Sequence, residues 1–223
     1  MSKSKLAPMA SFSPGYVANA KEGTLSTCRF GGCSWSVTGS RQDLGEPVLL
    51  VTMDFAHPLL SKSVSSEFNG EIPLFSYIDL DGLIPLQEYS LDHKARHVAF
   101  EPIPARVKGL PVEHRLATPI PEGFLRLRNM RDSEKAFDNA SYWGAMDTFL
   151  GGEGAIRLCG APLYIDDVET KQDGFRYIAS IGYESPDHGS GLLPNGAFFL
   201  GEVAHYFFIS KDWQTVRVVT QAA

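Results

Sequence analysis

The stretch "DHKARH" at 92–97 places His93 and His97 four positions apart. On a helix that spacing would put both imidazoles on one face, where Asp92 or His114 could complete a three-ligand set for a metal. Prolines crowd this part of the chain, at 85, 102, 104 and 111, and they disfavour the helix the ligands require. The pair reads as a polar, solvated connection, and no metal is expected.

The other chemistry-bearing clusters fail for stated reasons. Cys28 and Cys33 lack a second cysteine pair, so a zinc knuckle fails by ligand count, and both read as small hydrophobes flanking a turn. "DLDG" at 79–82 has its glycine at the fourth position, where a calcium loop needs it at the sixth. "GGEG" at 151–154 has no following Lys-Ser or Lys-Thr, so it ends a helix and cradles no phosphate. There is no Gly-x-Ser-x-Gly elbow, and Ser185, Asp187 and His188 are too close in one loop for triad geometry. His205 lies in an apolar strand and reads as a hydrogen-bonded core histidine. Neither a catalytic residue nor a cofactor is expected.

Two other sets of residues stand out. Arg29 in "RFGGCSW" and Arg157 in "RLCGAPLY" hold similar places before a turn, and both read as guanidinium groups bonding carboxylates or carbonyls inside the fold. "LYIDDVET" and "GYESPD" gather Tyr164, Asp166, Asp167 and Glu169 with Tyr183, Glu184 and Asp187. Carboxylates beside tyrosines suit an interface with a basic partner, where charge speeds encounter and aromatic rings anchor.

The elements that must position these residues are mostly strands. "TLSTCRFGGCSWSV", "PVLLVTMDF" and "EIPLFSYIDL" in the first third, and "AIRLCGAPLYI", "GFRYIASIGYE", "EVAHYFFIS" and "TVRVVTQ" in the last, are apolar or β-branched runs bounded by turn residues. "DSEKAFDNASYWGAMDTFL" is the one predicted helix, capped by Asp132 or Ser133, with Phe137, Ala140, Trp143, Gly144 and Phe149 at helical spacing. Between 84 and 123 the prolines predict edge strands or extended connections.

Composition bounds the function. The chain has 223 residues, and 43% hydrophobic with 21% charged residues is a globular balance. Twenty basic against 26 acidic side chains leave a net charge of −6, which argues against a nucleic-acid binder working by phosphate neutralisation and for a basic partner. Three cysteines, an odd number, fit a reducing compartment. The first residues carry no apolar run of signal-peptide length, and no stretch reaches a membrane span. A cytoplasmic protein, monomeric when free, is expected.

Displacing the chain by 128 positions sets Arg29 on Arg157, Gly32 on Gly160, and "LLVTMDF" at 49–55 on "YIASIGY" at 177–183. A slightly larger shift sets "LFSYID" at 74–79 on "AHYFFI" at 204–209. This predicts an α+β fold of two related, mostly antiparallel sheet units with few helices. A mobile arm at 1–14 would precede a single two-lobed domain at 15–223, with lobes at about 15–83 and 132–223 and a connecting segment at about 84–131.

These motifs, "RLCGAPLY", "FRYIASIGY", "GEVAHYFFIS" and "WQTVRVVTQ" with "FGGCSW", "PVLLVTMDF" and "IPLFSYIDL" before them, resemble the YwqG-like family, a bacterial domain of unknown function. Ser34 stands where that family has proline, and Asp54 and Tyr183 where its strands end in glutamine, so the resemblance is that of a divergent member. It implies the duplicated α+β fold and transfers no catalytic residue. The expected function is that of a noncatalytic protein-binding protein, most concretely an immunity protein that occludes the active site of a basic toxin such as a nuclease. The alternative is a small enzyme or ligand-binding protein using the cleft between the lobes through Arg29, Arg157, His205, or His93 and His97.

Overall fold

A computed structural model describes residues 14–20, 25–39, 41–64, 68–78, 84–109, 120–135, 139–150, 154–165, 172–182 and 203–222. Runs of β-branched and aromatic residues become strands because their side chains pack well on a pleated surface. In chain order these are β1 (Gly15–Asn19), β2 (Leu25–Phe30), β3 (Ser36–Thr38), β4 (Val48–Asp54), β5 (Glu71–Ser76), β6 (Leu86–Asp92), β7 (His97–Phe100), β8 (Gly123–Asn129), β9 (Ile156–Cys159), β10 (Phe175–Ile181), β11 (Val203–Ser210) and β12 (Thr215–Ala222). Two α-helices accompany them, α1 (Pro58–Ser63) and α2 (Asn139–Leu150). Neither is long and apolar enough to cross a membrane.

The strands form one sheet in the order β3-β7-β6-β12-β11-β10-β9-β1-β8-β2-β4-β5. Every pairing is antiparallel except that of β3 with β7. Alternate residues point to opposite faces, so one face gathers Tyr16, Phe30, Leu127, Leu158, Phe207 and Val218 in the main core. On the opposite face, α2 lays Ala145, Met146 and Phe149 over Ala204, Tyr206, Phe208 and Val219.

The sheet curls until β5 and β6 meet, and side chains instead of a strand ladder bridge the seam. The Tyr89 hydroxyl accepts from the Phe75 amide at 3.0 Å and donates to the Pro73 carbonyl at 2.8 Å. Gln87 accepts from the Tyr77 amide at 3.0 Å. These bonds satisfy backbone groups of an edge strand that would otherwise be buried without partners.

Two expectations change. The stretch 84–131 is more than a connection, since it carries β6, β7 and β8, and β8 lies deep in the sheet between β1 and β2. Its described prolines at 85, 102, 104 and 121 fall outside the strands, so they delimit strands and leave the ladders unbroken. The predicted helix is also shorter: Asp132–Glu134 is a separate 3-10 turn, and α2 begins at Asn139. Arg131, not Asp132 or Ser133, occupies the N-cap position of that turn.

The sheet register matches between segments at the 128-residue displacement. Cys28, Arg29 and Phe30 on β2 face Met53, Thr52 and Val51 on β4, and Ile156, Arg157 and Leu158 on β9 face Ile181, Ser180 and Ala179 on β10. A bulge interrupts β4 between Leu49 and Val51 and β10 between Tyr177 and Ala179. Left-handed backbone follows each first strand, at Gly31 and Gly32 (φ 65° and 82°) and at Cys159 and Gly160 (φ 57° and 68°). The sequence comparison of the third strands is out of step. Leu74 faces Val51 and Phe207 faces Ala179, so Leu74 corresponds to Phe207 and not to Ala204. Unequal lengths of chain before β5 and β11 hide this offset, and an odd slip in register reverses which face a side chain takes.

Candidate functional site

Of the seven residues assigned from sequence to a partner surface, Tyr164 falls within the described chain. Its ring lies 5.1 Å from that of Tyr206, tilted by 47°, and its carbonyl accepts from the Tyr142 hydroxyl. Asp166, Asp167, Glu169, Tyr183, Glu184 and Asp187 lie outside the described residues.

The helix beside Tyr164 supplies an anchor, Trp143, that the sequence reading counted at helical spacing and gave no role. At 3.6 residues per turn, the stripe that meets the sheet is Ala145, Met146 and Phe149, with Tyr142 partly covered. Trp143 and Gly144 therefore face away, and Trp143 is 68% exposed. Its ring meets Tyr142 edge-on, 5.1 Å between centroids, and Asp147, four residues on, is exposed on the same side. The signal was present in the spacing of Ala145, Met146 and Phe149, which competes with that of Trp143 and Gly144. Trp143, Asp147 and the Tyr142–Tyr164 contact make one aromatic and acidic rim.

Beneath that rim the polar groups are held for structure. Arg157 lies under Phe149, its guanidinium 5.8 Å from the ring centroid, and its Nη1 donates to the Glu134 carbonyl at 2.7 Å. Its Nε is buried without a partner, and burial lowers its pKa from the ordinary arginine value. Burial pushes the Tyr177 and Tyr206 hydroxyls up, so both stay protonated. Tyr177 pairs with Ser180 at 2.9 Å, and Tyr206 donates to the Leu163 carbonyl at 2.8 Å. Among the described residues, these groups are held in structural bonds.

The remaining sequence candidates are likewise engaged. His93 and His97 flank a β-hairpin turn instead of sharing a helix face. His93 Nε2 is 2.8 Å from the Trp213 carbonyl, and His97 holds Ser36 at 2.9 Å and Thr38 at 3.2 Å. His114 lies outside the described residues. Among the described residues no group of three His, Cys, Asp or Glu could hold a metal. Arg29 binds Glu71 at 2.8 Å, and Arg96 takes the other oxygen of the same carboxylate. His205 is fully buried, with Nδ1 3.0 Å from Thr220 Oγ1. Cys28 and Cys159 are buried free thiols, and Cys33 is exposed. "DLDG", from Asp79, and Ser185, Asp187 and His188 lie outside the described residues.

No protein-family model matches the chain, and no curated protein or solved structure gives a significant match.

Proposed function

We propose that this chain is a noncatalytic protein-binding protein of the bacterial cytoplasm, an immunity protein that neutralises a basic toxin by covering its active site. The observation that carries the reading is Trp143: an indole left 68% exposed on a helix that buries Met146 and Phe149, beside Tyr142, Tyr164 and Asp147. Tryptophan and tyrosine are the residues most enriched at interface hot spots, and the net charge of −6 favours a basic partner. The engagement of every described histidine candidate in structural bonds agrees with a role outside catalysis.

The scaffold in this reading is a sheet module doubled within one chain, as in a divergent YwqG-like protein. The equal registers, the matching bulges and the paired left-handed turns support it. So does an exchange of strands: β1 pairs with β9 and β8 with β2, while β1 and β8 pair with each other.

The test is coexpression with the product of a toxin gene adjacent to this one. The expected result is protection of the cells and a one-to-one complex that Trp143→Ala weakens about tenfold or more, with the melting temperature unchanged. Absence of both protection and complex would remove the reading.

A further inference from the structure

We propose that the exterior of β2 and β8 is a nucleotide platform, on which a planar base stacks against Phe124 and its phosphate is held by Arg126 with Arg29 alongside. Sheet register fixes the arrangement. Phe124 pairs with Arg29 across the two strands, so the two side chains share a face with their Cβ atoms about 5 Å apart. Arg126 follows Phe124 by two positions on that face, about 7 Å along the strand. Phe124, the second residue of β8, is 66% exposed, while Leu125 and Leu127 on the other face are buried. Arg126 is exposed and has no ion pair among the described residues.

The charges around this spot are unbalanced. Arg128 continues the row on β8, and Arg157 shares its face across Val17 of β1. Glu71 serves both Arg29 and Arg96, and Glu134 is held by Arg128. Glu122, just before β8, and Asp54, which faces Glu71 across β4 and β5, are the other acids nearby among the described residues. Five guanidinium groups (Arg29, Arg96, Arg126, Arg128 and Arg157) thus meet four carboxylates among the described residues, a local excess of positive charge on a chain whose total is −6. An aromatic face beside a cation recognises base and phosphate together, since every base offers a π-face and the phosphate accepts charge-assisted hydrogen bonds. The negative total opposes a long polyanion and favours a ligand with few phosphates.

Calorimetric titration of the whole chain with adenosine monophosphate, and separately with a short oligothymidylate, tests this. Saturable binding is expected, weakened about tenfold or more in Phe124→Ala and about tenfold in Arg126→Gln. Both positions are exposed, so both variants should keep the wild-type melting temperature. Binding of the mononucleotide as tight as that of the oligonucleotide identifies the free nucleotide as the source. Binding of the oligonucleotide alone, falling steeply with salt, identifies a single strand. No saturable binding of either at millimolar concentration, or binding that neither variant changes, would overturn the proposal. Capture of polyglutamate in place of both would also overturn it, by assigning the face to an acidic protein segment.

Discussion

Arg157 Nη1 donates to the main-chain carbonyl of Glu134 at 2.7 Å, while the carboxylate of the same residue is bonded by Arg128 and by the Arg131 amide. Two guanidinium groups are thereby organised around one acid that is 1% exposed. Burial alone would raise the Glu134 pKa, but the hydrogen bonds from Arg128 and Arg131 and their charges outweigh it and hold the group below the ordinary glutamate value. The stabilisation is therefore complete above the unfolded pKa of about 4.3 and is lost as pH falls through the lower folded value. Glu134→Gln removes the buried carboxylate charge that Arg128 binds and should cost about 3–5 kcal/mol, read as a lower urea midpoint at neutral pH. A variant within 1 kcal/mol of wild type, by the same bookkeeping, would show that solvent already screens the pair.

His205 adds an acid sensitivity of the same sign that begins at higher pH. Burial lowers its pKa to about 4, and its Nε2 is buried without a partner, so the folded protein holds a neutral imidazole. The unfolded chain takes up a proton near pH 6.5. Stability should therefore fall as pH drops from about 6.5 towards 4, by about 3 kcal/mol in total. His205→Gln removes the titrating group, and its melting temperature should be flatter than wild type across that range. Equal slopes in the two proteins would assign the titration to another residue.

How much of this was legible depends on the reach of each interaction. The strands β4, β10, β11 and β12 follow from local alternation and β-branched content, and the burial of His205 follows from its apolar neighbours. The placement of β8 in the middle of the sheet does not, because strand order is set by pairings between residues 93 to 113 positions apart. The outward turn of Trp143 depends on which of two overlapping stripes on α2 meets the sheet, and tertiary packing decides that. The shared face of Phe124 and Arg29 is a matter of register, and the bulge in β2 between Ser26 and Cys28 shifts it in a way no sequence pattern announces.

The three cysteines should separate by reactivity. Cys33 is exposed, whereas Cys28 and Cys159 are buried, and burial, with Cys28 nearby, pushes the Cys159 thiol up to about 12. Since the thiolate is the reacting species, titration of the native protein with a thiol reagent at neutral pH should modify Cys33 quickly and leave the other two until denaturant is added. Cys33→Ser should abolish the fast phase. Rapid labelling of Cys159 in that variant would mean that the strand it ends opens readily.

The seam between β5 and β6 makes the last test, since it rests on side chains. One hydroxyl, that of Tyr89, satisfies both the Phe75 amide and the Pro73 carbonyl, and Tyr89 is fully buried. Tyr89→Phe keeps the ring, its edge contact with Phe75 and its tilted contact with Phe100, so it removes little apolar burial. It leaves a buried donor and a buried acceptor unpaired, at about 1–3 kcal/mol each. The variant should unfold at markedly lower urea, and amide exchange at Phe75 should accelerate more than at Met53, whose strand remains paired on both sides with β2 and β5. If Phe75 and Met53 accelerate equally, the loss is global and the hydroxyl does not hold the seam by itself. If neither changes, a water replaces the hydroxyl, and the edge of β5 is wetter than its burial implies.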